Sequence, residues 1–166
     1  RSGIVRQVSL KAIPACYLHA KQWLASVDEC AEAREELMLN NRHWEFFWDP
    51  QSDQCAMKTL NPTTLKVLEN SLEGESLGPS YQIIPSQRDV KFNEIEFSVP
   101  AEAGWACFLA LRSFMQQRFP PVRWPIDYLP PTADDIYLSP TSVRDCVTIH
   151  AHSSLTTPHT SPHIPS

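Results

Sequence analysis

The sequence predicts an α+β fold, a mostly antiparallel sheet packed against two main helices, and three observations carry that expectation. Residues 91–99, KFNEIEFSV, alternate cleanly between two parities, as a strand with one wet face does. Residues 43–59 hold two strand-like runs, HWEFFW and QCAMKTL, on either side of Asp49-Pro50-Gln51-Ser52-Asp53, a composition that turns a chain back on itself. Two longer stretches, 21–40 and 101–118, repeat apolar residues at helical spacing. A chain of 166 residues with 42% hydrophobic and 20% charged content suits one globular domain with its own core.

Taken in order, GIVRQVSLKAI at residues 3–13 alternates, with Ile4, Val8, Leu10 and Ala12 on one parity, and Pro14 ends the pattern. From Lys21 to Asn40, Trp23, Leu24, Val27, Cys30, Ala31, Leu37 and Met38 mark an amphipathic helix whose outer face is acidic. The hairpin of 43–59 follows. Residues 61–89 read as connection, with a short helix near Leu65 and a brief YQII run. After the strand at 91–99, Pro100 and Glu102 open an apolar helix in which Trp105, Phe108, Leu109, Leu111, Met115 and Phe119 are expected to pack under the sheet, until Pro120 and Pro121 stop it. Residues 122–152 read as strand, connection and strand, VTIHAH being the last β segment. From Ser153 the chain becomes SSLTTPHTSPHIPS, a Ser/Thr/Pro/His tail with no apolar period, expected not to fold.

Composition excludes several function classes. A net charge of −5 and a pI near 5.6 leave no dominant basic surface, so nucleic acid is not an expected partner. No apolar run is long enough to span a bilayer, and Arg1-Ser2-Gly3 does not open a signal peptide, so no transmembrane segment is expected. Arg1 is not an initiator methionine and the chain runs straight into a strand-like pattern, which suggests truncation at the front. Cys16, Cys30, Cys55, Cys107 and Cys146 are odd in number and never in C-x-x-C spacing, which argues against a zinc site or a complete disulfide framework and favours reduced core thiols.

Three segments in a fixed order, the last with a recognisable motif inside it, resemble one family. HWEFFWDPQSD at 43–53, FNEIEFSVPAE at 92–102, ADDIYLSP at 133–140 and, across 124–152, WPIDYLPPTADDIYLSPTSVRDCVTIHAH are similar to the C-terminal substrate domain of the D-arabinono-1,4-lactone oxidases. That family sits with the alditol oxidases in the vanillyl-alcohol-oxidase type of FAD-linked flavoproteins. The resemblance implies that residues 1–14 end an FAD-binding domain, supplying its last strand, that 15–152 form an incomplete substrate domain, and that 153–166 are a disordered tail. It also implies FAD as cofactor, bound mainly upstream, a sugar-1,4-lactone or alditol as substrate, and oxygen or another electron acceptor. A cytoplasmic protein, able in its full form to associate with a membrane, follows from the same resemblance, as does the absence here of a family segment that brings a lysine to the active site.

The family pattern points to particular residues. Flavin-linked oxidation of a CH–OH group needs a side chain that helps the hydroxyl proton leave. The family places a Glu and an Arg two residues apart on the strand corresponding to 126–129, and here that pair is Asp127 and Leu129. Asp127 can still accept a hydrogen bond, though it reaches less far, whereas Leu129 cannot replace a guanidinium. The bland reading of Asp127 is a solvated carboxylate at a strand end. His152 falls where the family carries a histidine, and His150 shares its strand face. An imidazole there can hydrogen-bond a sugar hydroxyl; the alternatives are a metal, for which no third-ligand pattern is present, and an ordinary strand histidine.

Asp134, Asp135, Ser139, Arg144 and Asp145 read as residues that hold a turn. Trp44, Phe46, Phe47 and Trp48 read as sheet core rather than a sugar-stacking platform. Two further readings stand beside the oxidoreductase one. The chain could be a non-catalytic α+β binding module or decayed oxidase copy, which Leu129 and the tail favour, or an interrupted gene model whose tail begins where the family continues with a helix.

Overall fold

A computed structural model of the chain describes residues 6–9, 12, 14–68, 72–85, 91–120, 122, 124–137 and 139–154. Seven strands form one sheet in the order β4-β1-β3-β2-β6-β7-β5, every pair antiparallel. The elements run β1 (Tyr17–Ser26), α1 (Val27–Asn40), β2 (His43–Asp49), β3 (Gln54–Thr63), β4 (Glu75–Pro79), α2 (Ser80–Ile83), β5 (Phe92–Pro100), α3 (Ala101–Arg118), β6 (Ile126–Leu129) and β7 (Cys146–Ser154). The expected α+β class, hairpin and two main helices are all present. No helix among the described residues is long and apolar enough to cross a membrane.

Several boundaries move. Residues 21–26 belong to β1, not to a helix: Ser26 is extended, its side chain accepts from the Glu29 backbone N–H and its own backbone N–H donates to the Glu29 carboxylate, a capping box that starts α1 at Val27. No helix forms near Leu65. β3 instead continues to Thr63 because it is paired along its whole length with β1, and tertiary pairing overrides the turn chemistry of Asn61-Pro62. The YQII run contributes to α2. Of the strand expected over 3–13, residues 6–9 and 12 carry no strand pairing and the rest lie outside the described residues. The expected tail begins later than Ser153, since β7 runs to Ser154 opposite Phe92; residues 155–166 lie outside the described residues.

One sheet face is covered by the two main helices. Trp44, Phe46 and Trp48 from β2, Cys55 and Met57 from β3, Ile126 and Tyr128 from β6, and Val147 and Ile149 from β7 meet Val27 and Cys30 of α1 and Phe108 of α3. The Phe46 ring lies 4.8 Å from Tyr128 and 5.1 Å from Phe108, stacked on the first and edge-on to the second. Burial of Tyr128 pushes its hydroxyl up to about 12. Three members of the aromatic cluster are therefore core, as expected, while Phe47 points the other way.

Only one stripe of α3 reaches the sheet. Gly104 and Phe108 are buried, with Trp105, Leu111 and Met115 partly so, whereas Leu109 and Phe119 remain 38% and 45% exposed, contrary to expectation. Leu109 sits about 100° around the helix from Phe108, off the stripe. Gly104 sets how close the helix comes, since a Cβ there would fall 2.4 Å from Val147 Cγ2. Arg34 of α1 lies over the Trp105 ring at 5.2 Å and ties the two helices together. Cys30, Cys55 and Cys146 are buried free thiols, Cys107 is partly buried, and Cys16 is exposed, so the core-thiol reading fails at Cys16.

Candidate functional site

Because side chains alternate along a strand, the residues that leave the helices behind gather on the opposite face. Asp127 of β6 stands between Phe47 of β2 and His150 of β7. Leu129 pairs with Thr148, and His152 pairs with Glu94 of β5. All three site residues expected from the sequence thus share one face of two adjacent strands, β6 and β7, and Leu129 shares it with them.

Asp127 is 8% exposed, in the middle of the sheet, so it is not a solvated strand-end carboxylate. Its place follows from β6 being the strand between β2 and β7. His152 is equally enclosed. Its Nδ1 lies 3.3 Å from the Pro125 carbonyl, its ring packs edge-on against Phe92 at 5.2 Å, and Trp124 closes the side at 6.3 Å. If Nδ1 carries the proton, the Pro125 carbonyl accepts it and fixes the ring's orientation. Nε2 is 3.2 Å from Glu94 Oε1, near enough for an ion pair when the ring is protonated but not aligned as a hydrogen bond. His150 Nδ1 meets the same Glu94 oxygen at 2.7 Å. The two imidazoles lie nearly parallel, 6.4 Å apart.

One carboxylate therefore serves two histidines. The hydrogen bond from His150, with the nearby charge of His152, holds the Glu94 carboxyl below the usual range against the opposing effect of desolvation. Glu94 was not singled out by the sequence reading, although the alternation of 91–99 places it on the polar parity. Among the described residues no three His, Cys, Asp or Glu side chains converge as metal ligands.

A second charged group on this face also escaped the sequence reading. Glu45 is 8% exposed, its Oε1 2.7 Å from Lys58 Nζ and its Oε2 3.3 Å from His43 Nε2. Burial pushes the Glu45 carboxyl up, but the hydrogen bonds from His43 and Lys58 outweigh it and hold it at about 2. The signal was available: a hairpin turning at Asp49–Asp53 sets Glu45 directly opposite Lys58.

The loop between β6 and β7 does what its sequence suggested. Asp134 accepts from the Ile136 backbone at 2.9 Å, the Ser139 hydroxyl at 2.6 Å and the Thr141 hydroxyl at 2.9 Å, and Asp145 accepts from the Ala133 backbone at 2.8 Å. These contacts hold shape at the end of the sheet where β7 begins.

A model of the D-arabinono-1,4-lactone oxidase family matches residues 8–78 and 66–163. Two curated proteins named L-gulono-1,4-lactone dehydrogenase, from two strains of Mycobacterium tuberculosis, are each 22% identical over 190 aligned positions. The alignment takes in 90% of this chain and 44% of each relative, so the chain spans less than half the length of the proteins it matches.

Proposed function

This chain belongs to the D-arabinono-1,4-lactone oxidase family, and from that premise we propose that it forms the substrate side of an FAD-linked oxidoreductase acting on a CH–OH group of a sugar-1,4-lactone. The observation that carries the reading is the enclosed polar sheet face on which Asp127, His150 and His152 converge. Within that assignment residues 1–14 close the FAD-binding domain and residues 15–152 make up the substrate domain. Oxygen is the acceptor that the family's name implies, while the matched relatives carry the name of dehydrogenases.

The donor set suits a polyhydroxylated ring better than a dinucleotide. The face offers carboxylate acceptors and imidazoles able to donate or accept, whereas the glycines of the described residues, Gly74, Gly78 and Gly104, form no phosphate-cradling loop. On this reading FAD would be held mainly by residues outside those described. When bound, it supplies the acceptor for the hydride leaving the substrate carbon.

The chain's own residues supply the rest. Asp127 accepts the hydroxyl hydrogen and takes the proton as the carbonyl forms. His152, fixed through Pro125 and flanked by Glu94, holds a neighbouring hydroxyl, and His150 provides a second contact on the same face. Phe92 and Trp124 exclude water from the His152 end.

The test uses the full-length parent protein. Asp127→Asn is expected to lower kcat for aldonolactones by about 100-fold or more while leaving flavin content unchanged. His152→Gln is expected to raise KM as well as lower kcat. An unaltered kcat in Asp127→Asn would remove Asp127 from the mechanism. A second reading, a non-catalytic binding module, is favoured by one observation, the apolar Leu129 beside Asp127. A parent protein that purifies with flavin and reduces it on addition of aldonolactone would exclude that reading.

A further inference from the structure

Asp127 is buried in the middle of the sheet, so a proton that it takes from a hydroxyl has to be handed on before the next turnover. Straight across from it on β7, on the same face, stands His150. Such cross-strand partners lie about 5 Å apart at Cβ. His150 Nδ1 is 2.7 Å from Glu94 Oε1 of β5, while its Nε2 is buried and has no hydrogen-bond partner among the described residues. β5 and β6 flank β7 on opposite sides. A flat imidazole that turns its Nδ1 edge to β5 therefore turns the other edge, which ends in Nε2, towards β6 and Asp127.

The second histidine is placed differently. His152 Nδ1 is met by the Pro125 carbonyl, and its Nε2 is out of line with the Glu94 oxygen 3.2 Å away. The hydrogen bond from His150 is the main cause that holds the Glu94 carboxyl below its usual range. An ionised carboxylate only accepts, so His150 Nδ1 carries the hydrogen between them.

In a step that rests on the proposed function, we propose that Glu94 and His150 form a carboxylate–imidazole dyad that relieves Asp127 of its proton. Glu94 is the positioning residue: by accepting the Nδ1–H it fixes the tautomer that leaves Nε2 as a bare acceptor. The substrate O–H bond breaks as the Asp127 O–H bond forms. That proton then moves to His150 Nε2, which restores the Asp127 carboxylate and makes the ring an imidazolium. Glu94 at 2.7 Å and Glu96, whose Oε2 is 4.0 Å from Nδ1, offset the new charge until water takes the proton after product leaves. No electrons pass through the dyad.

The experiment compares two rates in the full-length parent protein with an aldonolactone: the first flavin reduction without oxygen, and steady-state kcat. His150→Gln keeps a polar side chain that cannot take a proton. It is expected to leave the first reduction within about two-fold and to lower kcat about ten-fold or more, because Asp127 is used once and then not restored. Glu94→Gln should show the same split in smaller measure, and Glu94→Asp should recover part of the loss. Flavin content equal to the wild type shows that a variant is folded; if His150→Gln fails that check, Glu94→Gln carries the test. Ring nitrogen NMR spectra of histidine-labelled protein give a readout without turnover: His150 is expected with hydrogen on Nδ1 and none on Nε2, a preference lost in Glu94→Gln. An unchanged kcat, an equal loss in both rates, or hydrogen on Nε2 of the neutral ring would overturn the dyad. A wild-type parent whose flavin no aldonolactone reduces would instead remove the proposed function itself, and the dyad with it.

Discussion

The two faces of the sheet are made by alternate residues of the same strands, yet they bury different chemistry. On the helix side β2, β6 and β7 contribute Trp44, Phe46, Trp48, Ile126, Tyr128, Val147 and Ile149, all no more than 4% exposed. On the other side the same strands contribute Glu45, Asp127, Thr148 and His152, at 4–8% exposed. Burial alone does not separate core from site here. The helix face is stabilised by leaving water, whereas the polar face tolerates leaving water only because Glu45 meets Lys58 and His43, and Glu94 meets both histidines. Substitutions on the first face should therefore act on stability in proportion to volume, and those on the second through charge.

The largest expected effect lies on the helix face. Phe46 touches Trp44, Trp105, Phe108 and Tyr128, so Phe46→Ala removes the centre of the aromatic packing and should cost about 4 kcal/mol by denaturant unfolding. A cost below about 1 kcal/mol would mean that the face is not a close-packed core.

Glu45 gives the next largest effect, and a different signature. Its folded pKa, about 2, lies below the unfolded carboxylate value, so its stabilisation is fully present above about pH 4.3 and is lost as pH falls towards 2. A shift of that size corresponds to about 3 kcal/mol at neutral pH. Glu45→Gln should lower stability by about that amount at pH 7 and flatten the stability profile between pH 4.3 and 2. An unchanged acid limb in the variant would show that the His43–Glu45–Lys58 contacts are not formed in solution.

Gly104 tests how tightly α3 is seated. Gly104→Ala places a methyl group 2.4 Å from Val147 Cγ2 and 3.0 Å from the Tyr128 hydroxyl, and should cost about 2 kcal/mol despite the better helix propensity of alanine. A gain in melting temperature would show instead that the helix can slide outward without loss.

Much of this arrangement was legible in the sequence, and what was missed has physical causes. The hairpin, α3 and β7 were readable because alternation or helical period ran unbroken through each. β1 was obscured by a helical run that begins inside it: Trp23 and Leu24 fit the spacing of α1 but lie before the Ser26 cap, whose S-x-x-E signature marks the boundary. β4 is five residues long and contains glycine and proline, so it forms only because β1 offers it an edge. At the site, Asp127, His150 and His152 came from the family pattern, and their convergence on one face follows from register. Glu94 and the Glu45–Lys58 pair depend on cross-strand partners, which no reading of a single strand reveals.

Leu129 offers the smallest expected stability change and the sharpest division between the faces. It is only half-buried on the polar face, opposite Thr148, and lies two residues from Asp127. Leu129→Arg introduces a cation on a face that already carries Glu45 and Asp127, so unfolding free energy should move by no more than about 1 kcal/mol. In the full-length parent protein the same change restores the residue that the family pattern places beside the acid. On the proposed function, fixed guanidinium donors beside Asp127 should raise kcat/KM for a sugar lactone by about ten-fold or more. The equivalent charge insertion on the helix face, Tyr128→Arg, should unfold the protein, because its neighbours there are Phe46, Trp105 and Phe108. If Leu129→Arg left kcat/KM unchanged while Asp127→Asn abolished it, the substrate would approach Asp127 from the His150 side alone.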